Sequence, residues 1–118
     1  MPVTLQHERE NVFRMEVRGT LRKSELETVA PLAASEIERL GTVRLLWILE
    51  EFEGWDPKDH YNLSFYMKHG DAVDRIAIVC EERWRDLAMM FVAAGLRKGL
   101  VMHFPEGALD EARAWLYQ

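Results

Sequence analysis

The sequence predicts an α/β domain built on a five-stranded mixed sheet. Two runs of mostly apolar residues, at 43–49 and 74–81, are typical of strands that a parallel sheet buries on both faces. From the second strand of an initial hairpin onward, a strand-like segment is followed by a helix-like segment four times. Such alternation indicates right-handed crossovers between parallel strands. We therefore expect an antiparallel edge strand followed by four βα units.

The predicted strands differ in their patterns. Residues 3–8 form a weak strand, expected at an edge, and residues 12–19 alternate between apolar and charged side chains. A turn at Glu10 and Asn11 separates these two segments, so they predict a β-hairpin. The remaining strands are predicted at 43–49, 74–81 and 99–105.

Four helices are predicted between and after the strands. The first covers 24–41, with Ser24 as its N-cap and Gly41 as its C-terminal stop. Pro31 lies past the first turn and is expected to kink or divide this helix. The second is expected to begin at Asp56, a capping residue. The later helices are predicted over 56–70, 82–94 and 106–118.

Length and composition limit the class of protein. The 118 residues are enough for a single domain, spanning 1–118, that buries its own core. Apolar residues make up 48% of the chain and charged residues 30%, which is typical of a globular rather than a disordered protein. The formal net charge of −5 argues against nucleic acid or an anionic membrane as the main partner, because both bind basic faces.

The cysteine count and the hydropathy pattern indicate the cellular compartment and limit the kinds of metal site. Cys80 is the only cysteine, so neither an intramolecular disulfide nor a cluster of thiolate metal ligands is possible. The N-terminal residues lack the apolar stretch of a secretory signal, and no apolar run is long enough to span a membrane. We expect a cytoplasmic protein without a metal site or a cofactor.

An acidic segment, EEFEGW at 50–55, follows the first buried strand. We expect a turn there, at the carboxyl end of a strand, where open α/β sheets place their ligands. Phe52 and Trp55 would form a contact surface rimmed by Glu50 and Glu53. In the alternative interpretation, both rings fold back onto the sheet and the glutamates are solvated. A carboxylate pair for acid–base chemistry is a further alternative, but nothing in the spacing selects it.

Methionine and aromatic side chains are frequent on the second and third predicted helices. If the domain encloses an apolar ligand, Phe65 and Met90 would line the cavity together with Trp47. The alternative is plain packed core, which is the more usual origin of apolar residues at helical spacing. The candidate residues for contact with a ligand or partner are Trp47, Glu50, Phe52, Glu53, Trp55, Phe65 and Met90.

Four segments of the sequence resemble the SpoIIAA-like family of bacterial proteins. They are GTLRKSELETVAPL, VRLLWILEEFEGW, RIAIVCEERW and FPEGALDEARAWL, and the similarity covers essentially the whole chain. The resemblance implies the fold of STAS domains and of CRAL-TRIO lipid-binding domains, a βα superhelix with a leading antiparallel strand. STAS proteins of the anti-anti-sigma type are phosphorylated on a serine after the strand that matches LLWIL. This chain has no serine or threonine between Glu50 and Asp56.

The resemblance implies a non-enzymatic STAS-type module that binds a protein partner or a small apolar, lipid-like ligand, without the phosphoserine switch. The alternative is an enzyme that uses the acidic segment from Glu50 to Glu53. We find no positioned acid, base or nucleophile with a partner in the sequence. Cys80 stands beside Glu81 and Glu82, which disfavour a thiolate, and is interpreted as structural.

A surplus of large apolar side chains predicts self-association. Helix 82–94 carries them around more than half of its circumference, and residues 115–117 place Trp, Leu and Tyr in a row. A single core cannot face all of these side chains, and monomers seldom leave a large apolar patch in water. We therefore expect a homodimer through helix 82–94, the C-terminal helix or the aromatic residues at 52–55.

Overall fold

The computed structural model describes residues 3–59, 69–95 and 98–118. Five strands lie in this part of the chain: β1 (Val3–Arg9), β2 (Val12–Leu21), β3 (Val43–Trp55), β4 (Val73–Val79) and β5 (Leu100–Phe104). The α-helices described are α1 (Lys23–Leu40), α2 (Arg85–Phe91) and α3 (Leu109–Leu116). Short 3₁₀ turns at Gly70–Ala72 and Glu82–Trp84 precede β4 and α2. None of the described helices is both long enough and apolar enough to cross a membrane.

The strands form one sheet in the order β1-β2-β3-β4-β5. β1 pairs antiparallel with β2, and every later pair of neighbours is parallel. The predicted five-stranded mixed sheet with an antiparallel edge is therefore confirmed. The helix predicted over 56–70 falls largely on residues 60–68, which lie outside the described residues. At its expected start, the Asp56 carboxylate accepts a hydrogen bond from the Lys58 N–H at 2.9 Å, the contact of a capping residue.

Helices cover both faces of the sheet. α1 and α2 lie on one face and contribute Ile37 and Ala88 to the larger part of the core. α3 lies on the opposite face, where Leu116 packs into a second, smaller cluster. Because successive strand residues point to opposite faces, Trp47 belongs to the first cluster and Leu46 to the second, and both are fully buried.

Helix α1 begins one residue before the predicted start. Arg22 occupies the N-cap position and Ser24 lies inside the first turn, with no side-chain cap, so the predicted Ser24 cap is wrong. The Lys23 N–H donates instead to the Asp59 carboxylate at 2.8 Å. The cap therefore comes from a residue beyond β3, and no pattern within the helix indicates it.

A proline lies inside α1 and a glycine ends it. Pro31 does not divide the helix, which runs unbroken to Leu40. Pro31 is exposed, so the carbonyl that loses its intrahelical partner at this position lies on the solvent side. Gly41 ends the helix as predicted, with a φ of 86° and its N–H donating to the Ile37 carbonyl at 2.7 Å.

Strand β3 is longer than predicted and includes the acidic segment. It continues to Trp55, so the turn predicted at 50–55 is wrong. The physical reason is that β2 also continues, to Leu21, which lies opposite Trp55 in the parallel ladder. The backbone groups of 50–55 therefore find strand partners, and the ladder overrides the turn-like composition.

Two register shifts interrupt the pairing of this segment with β2. Glu51 and Glu53 have no partner residue on β2, and Glu51 has a φ of 51°, which indicates β-bulges. In a regular strand Phe52 would share the face of Glu50, since side chains alternate with a period of two. The extra residue at Glu51 turns Phe52 to the face of Leu49, where both are buried in the larger cluster.

Gly54 allows a tryptophan to approach the backbone of β3 closely. Its φ of 101° lies in the left-handed region, which favours glycine. A Cβ atom at this position would lie 3.2 Å from Cη2 of Trp84. Both the backbone conformation and the adjacent indole ring therefore require glycine at the end of β3.

The C-terminal residues accommodate three consecutive large side chains without a second chain. Leu116 is buried under the sheet. The Arg75 guanidinium lies over the Trp115 ring, 5.1 Å from its centroid, and the Arg9 guanidinium lies over the Tyr117 ring at 4.5 Å. Both rings also pack against the smaller core cluster, so core contacts and cation–π contacts together account for the three side chains.

Replacing Asp59 by alanine removes the carboxylate that caps α1. We expect the free energy of unfolding to fall by about 1 kcal/mol. Ser24→Ala is the matched control, because Ser24 is exposed and makes no cap and alanine is the better helix former. Its stability is expected to stay equal or rise slightly. Urea unfolding followed by circular dichroism measures both variants, and equal losses would contradict the Asp59 cap.

Replacing Gly54 by alanine forces a side chain into a left-handed backbone beside Trp84. We expect a loss of about 2 kcal/mol in the free energy of unfolding, with a changed near-ultraviolet circular dichroism signal from the displaced indole. Gly107→Ala is the control, because no atom lies within 4 Å of its added Cβ. Its effect should stay within about 0.5 kcal/mol. A Gly54 variant as stable as the Gly107 variant would refute this account of the strand end.

Candidate functional site

An aromatic cluster lies toward the carboxyl end of β3, on the face covered by α1 and α2. Its members are Trp47, Phe52, Trp55, Trp84 and Phe91. The Phe52 ring contacts Trp55 and Trp84 edge to face, with both centroid distances 5.0 Å. The Phe91 ring of α2 joins Trp55 at 5.4 Å to Trp47 at 5.7 Å. The rings therefore form one continuous contact from the middle of β3 to its end.

The two aromatic residues of the acidic segment pack onto the sheet. Phe52 is almost completely buried, and Trp55 is half-buried against Trp84 and Phe91. The geometry is that of the alternative interpretation, in which the rings fold back. Trp84, which precedes α2, fills the space beside Gly54.

Three indole N–H groups in the aromatic cluster have no hydrogen-bond partner. The Nε1 atoms of Trp47, Trp55 and Trp84 are buried, and no acceptor contacts any of them within the part of the chain that the structure describes. A buried tryptophan N–H usually finds a partner, and an unsatisfied buried donor costs about 1–3 kcal/mol. The cluster therefore combines apolar rings with indole N–H groups that have no acceptor among the described residues.

The carboxylates of the acidic segment contact β2 rather than the aromatic cluster. Glu50 and Glu51 both pair with Arg18, at 3.0 and 3.6 Å. The exposed Glu53 lies beside Gly19. A Cβ atom added to Gly19 would lie 3.3 Å from Oε1 of Glu53. The glutamates are therefore solvated and ion-paired, and they do not converge with other titratable groups on one reacting position.

The two remaining candidate residues are Phe65 and Met90. Phe65 lies outside the described residues. Met90 is on α2, but its side chain is 74% exposed, whereas the next residue, Phe91, faces the sheet. Leu87, one turn earlier on the same side of α2, is 48% exposed. Met90 therefore belongs to an outer surface of α2 and not to the lining of the aromatic cluster.

Cys80 lies at the end of β4 and is fully buried. Its N–H donates to the Phe104 carbonyl at 3.2 Å, and its own carbonyl accepts a hydrogen bond from Nε2 of His103 at 3.0 Å. Burial first, and then the charges of Glu106 and Glu81, raise the pKa of the Cys80 thiol to about 11. The thiol is therefore protonated at neutral pH and is a poor nucleophile.

A second concave region lies where β1 and β2 meet α3, and the sequence did not suggest it. The cavity has a volume of about 470 Å³ and is lined by His7, Glu8, Arg9, Arg14, Arg113 and Tyr117. Arg113 donates to the Glu8 carboxylate at 2.8 Å, and this hydrogen bond raises the pKa of Arg113. Arg14 lies 3.6 Å from the same carboxylate. Glu8 thus neutralises part of the arginine charge, and the region is an ion-pair network that ties β1 to α3.

No metal centre is evident in the described ranges. Among these residues, no group of three His, Cys, Asp or Glu side chains is placed to hold a metal ion.

Comparison with known proteins agrees with this architecture. The model of the SpoIIAA-like family matches residues 12–117, and none of the curated proteins matches the chain. The fold is similar to the crystal structure of an uncharacterised protein of the DUF3478 family, with a SpoIIAA-like fold, from Shewanella loihica PV-4. The two chains are 21% identical with a TM-score of 0.75, over 97% of this chain and 91% of the other. Likeness at this identity shows the fold alone.

The family match begins at β2 and includes every later described element through α3, so it contains both the aromatic cluster and the two bulges of β3. The chain belongs to the SpoIIAA-like family.

Proposed function

We propose that this chain is a non-enzymatic, STAS-type binding module whose aromatic cluster takes up a small apolar, lipid-like ligand with an oxygen acceptor. The proposal rests on the three buried indole N–H groups that have no partner among the described residues. A carbonyl or carboxylate oxygen on the ligand would accept these hydrogen bonds, while its hydrocarbon part packs on the rings. A module of this kind would resemble the CRAL-TRIO lipid-binding domains in its function.

Catalysis by the acidic segment is the alternative, and it has less support. Glu50 and Glu51 are already engaged with Arg18, so neither is a free general base near the apolar surface. The Cys80 thiol, with its pKa raised to about 11, does not supply a thiolate. The described residues near the aromatic cluster offer donors and apolar contacts, which are the means of binding rather than of bond cleavage.

The proposed setting is the reducing cytoplasm of a bacterium, which suits a single buried thiol. Control by phosphorylation of the acidic segment is not part of the proposal, because no hydroxyl side chain lies between Glu50 and Asp56. Occupancy by the ligand would itself be the signal that such a module reports.

Dodecanoic acid is a suitable probe, because it combines a hydrocarbon chain with a carboxylate. Trp84→Phe removes one indole donor and keeps an aromatic ring, so we expect it to weaken dodecanoate binding about tenfold, since a hydrogen bond to a charged group is lost. Trp115→Phe is the matched control, because Trp115 belongs to α3 and packs against the opposite face of the sheet. Its affinity should equal that of the native chain. Isothermal titration calorimetry measures the dissociation constants.

Two outcomes would contradict the proposed ligand site. The first is a native chain that binds no dodecanoate and retains no apolar molecule in mass spectra of the purified protein. The second is an equal loss of affinity in the Trp84 and Trp115 variants, which would place binding outside the aromatic cluster. Thermal unfolding of both variants separates loss of binding from loss of structure.

The exposed surface of α2 supports a second function, the binding of a protein partner. Leu87 and Met90 are three residues apart on one side of the helix and remain largely exposed. Apolar side chains on one side of a surface helix are a common form of protein contact site. This surface does not compete with the aromatic cluster, because it faces away from the sheet.

A photo-reactive amino acid in place of Met90 tests this second function in living cells. We expect crosslinks to one defined protein, because a partner that covers α2 brings its side chains against residue 90. The control position is Leu32 of α1, which is also apolar and 56% exposed. Crosslinking to the same proteins from both positions would indicate non-specific contact and would remove α2 as a docking surface.

We further propose that the chain associates with a second copy of itself. The apolar side chains that remain exposed in the described structure support this, and they lie on α2 and on the edge strand β5 as well as on α1.

A further inference from the structure

The two edges of the sheet differ in their protection against pairing with another strand. β1 carries charged residues at positions 8 and 9 and has a register shift between His7 and Arg9. β5 reads LVMHF, contains neither an Asp, Glu, Lys or Arg residue nor a proline, and pairs with β4 without a register shift. Proteins normally protect an edge with charges, bulges or proline. β5 itself has none of these, since its proline, Pro105, comes only after the last strand residue, and its Leu100 and Met102 residues are 56% and 44% exposed.

The backbone of β5 presents hydrogen-bonding groups on its open side. The Phe104 carbonyl accepts from the Cys80 N–H on β4. Because backbone groups alternate along a strand, Met102 and Leu100 also face β4, whereas Val101 and His103 direct their N–H and C=O groups outward. No strand in the described part of the chain pairs with this side.

We propose that two copies of the chain pair antiparallel through β5, about a two-fold axis at Met102, so that the two sheets become one continuous sheet. This inference rests on the self-association proposed above and names its interface. The outward groups of Val101 and His103 would bond to those of His103 and Val101 in the second copy. These two residue pairs exchange four hydrogen bonds of about 2.9 Å in the standard antiparallel ladder.

The sequence around β5 is self-complementary in this register. Antiparallel pairing centred on Met102 brings Lys98 toward Glu106 of the second copy at both ends of the interface, where these residues flank the ladder just beyond the ends of β5. Leu100 falls opposite Phe104, and the two Met102 side chains meet at the axis. Opposite charges and apolar pairs placed directly across a ladder stabilise it. The exposed apolar side chains of β5 thereby gain apolar neighbours.

Neighbouring registers lose this complementarity. A pairing centred on Val101 sets Lys98 opposite Phe104, and a pairing centred on His103 sets Glu106 opposite Leu100. Each places a charge against an apolar side chain. Within its own chain, Lys98 lies 3.7 Å from Asp71, but both side chains are strongly exposed. Such an ion pair contributes little, so Lys98 is available to the second copy.

Charge reversal tests the interface on the full chain. Lys98→Glu and Glu106→Lys each set like charges opposite one another at both ends, and we expect each to raise the dimer dissociation constant about tenfold. The double variant, with both reversals, restores opposite charges and should dimerise like the native chain. Lys58→Glu and Glu38→Lys are matched controls at exposed positions away from β5. Sedimentation equilibrium measures the dissociation constants against the 13.8 kDa mass of one chain.

A third substitution, Met102→Lys, tests the two-fold axis. It would bring two ammonium groups together at the axis, so we expect a monomer with an unchanged circular dichroism spectrum. A native chain that is monomeric at every concentration would refute self-association itself. A dimer that persists equally in the Lys98, Glu106 and Met102 variants would leave self-association standing and refute the β5 interface. A double charge reversal that fails to restore the dimer would overturn the register.

Discussion

The part of strand β3 that ends at Leu49 is covered on both faces of the sheet, and this constraint organises the whole domain. Trp47 and Leu46, adjacent in sequence, are fully buried on opposite sides of the sheet. Burial on both sides requires a helical layer on each face, which α1 and α2 supply on one side and α3 on the other. The ion pairs of β1 and β2, including that between Arg113 and Glu8, lie beside α3 where the apolar cluster ends.

The same strand creates the candidate site through its irregularity. Two extra residues, Glu51 and Glu53, shift the pairing of β3 with β2 and turn Phe52 toward the apolar face. Gly54 then admits Trp84, so the aromatic cluster depends on residues that bind nothing themselves. The glutamates that stood out in the sequence therefore act through the geometry of the backbone, and the bulge at Glu51 turns the Phe52 ring into the buried aromatic cluster.

Local patterns predicted most of the fold and only part of the site. Alternating and continuous apolar runs indicated all five strands, because burial of one or both faces of a strand determines which of its residues are apolar. The carboxylates and glycine at 50–55 favoured a turn, although Phe52 between Glu51 and Glu53 is also an alternating strand pattern. Ser24 was a sound local choice of cap, but the Asp59 carboxylate occupies the position. Trp84 packs on Gly54, which lies far from it in the sequence. A periodic pattern within one segment cannot predict such a contact.

In the part of the chain that the structure describes, α3 is the only helix on one face of the sheet, and this has a consequence for synthesis on the ribosome. The first face receives α1 as soon as β3 emerges, because α1 lies between β2 and β3 in the chain, so part of its apolar surface is covered early. The opposite face, with Leu46 and Val79, waits until Leu116 has been translated and has left the exit tunnel. During that interval the nascent chain displays an apolar sheet surface, which makes it a client for chaperones that bind growing polypeptides.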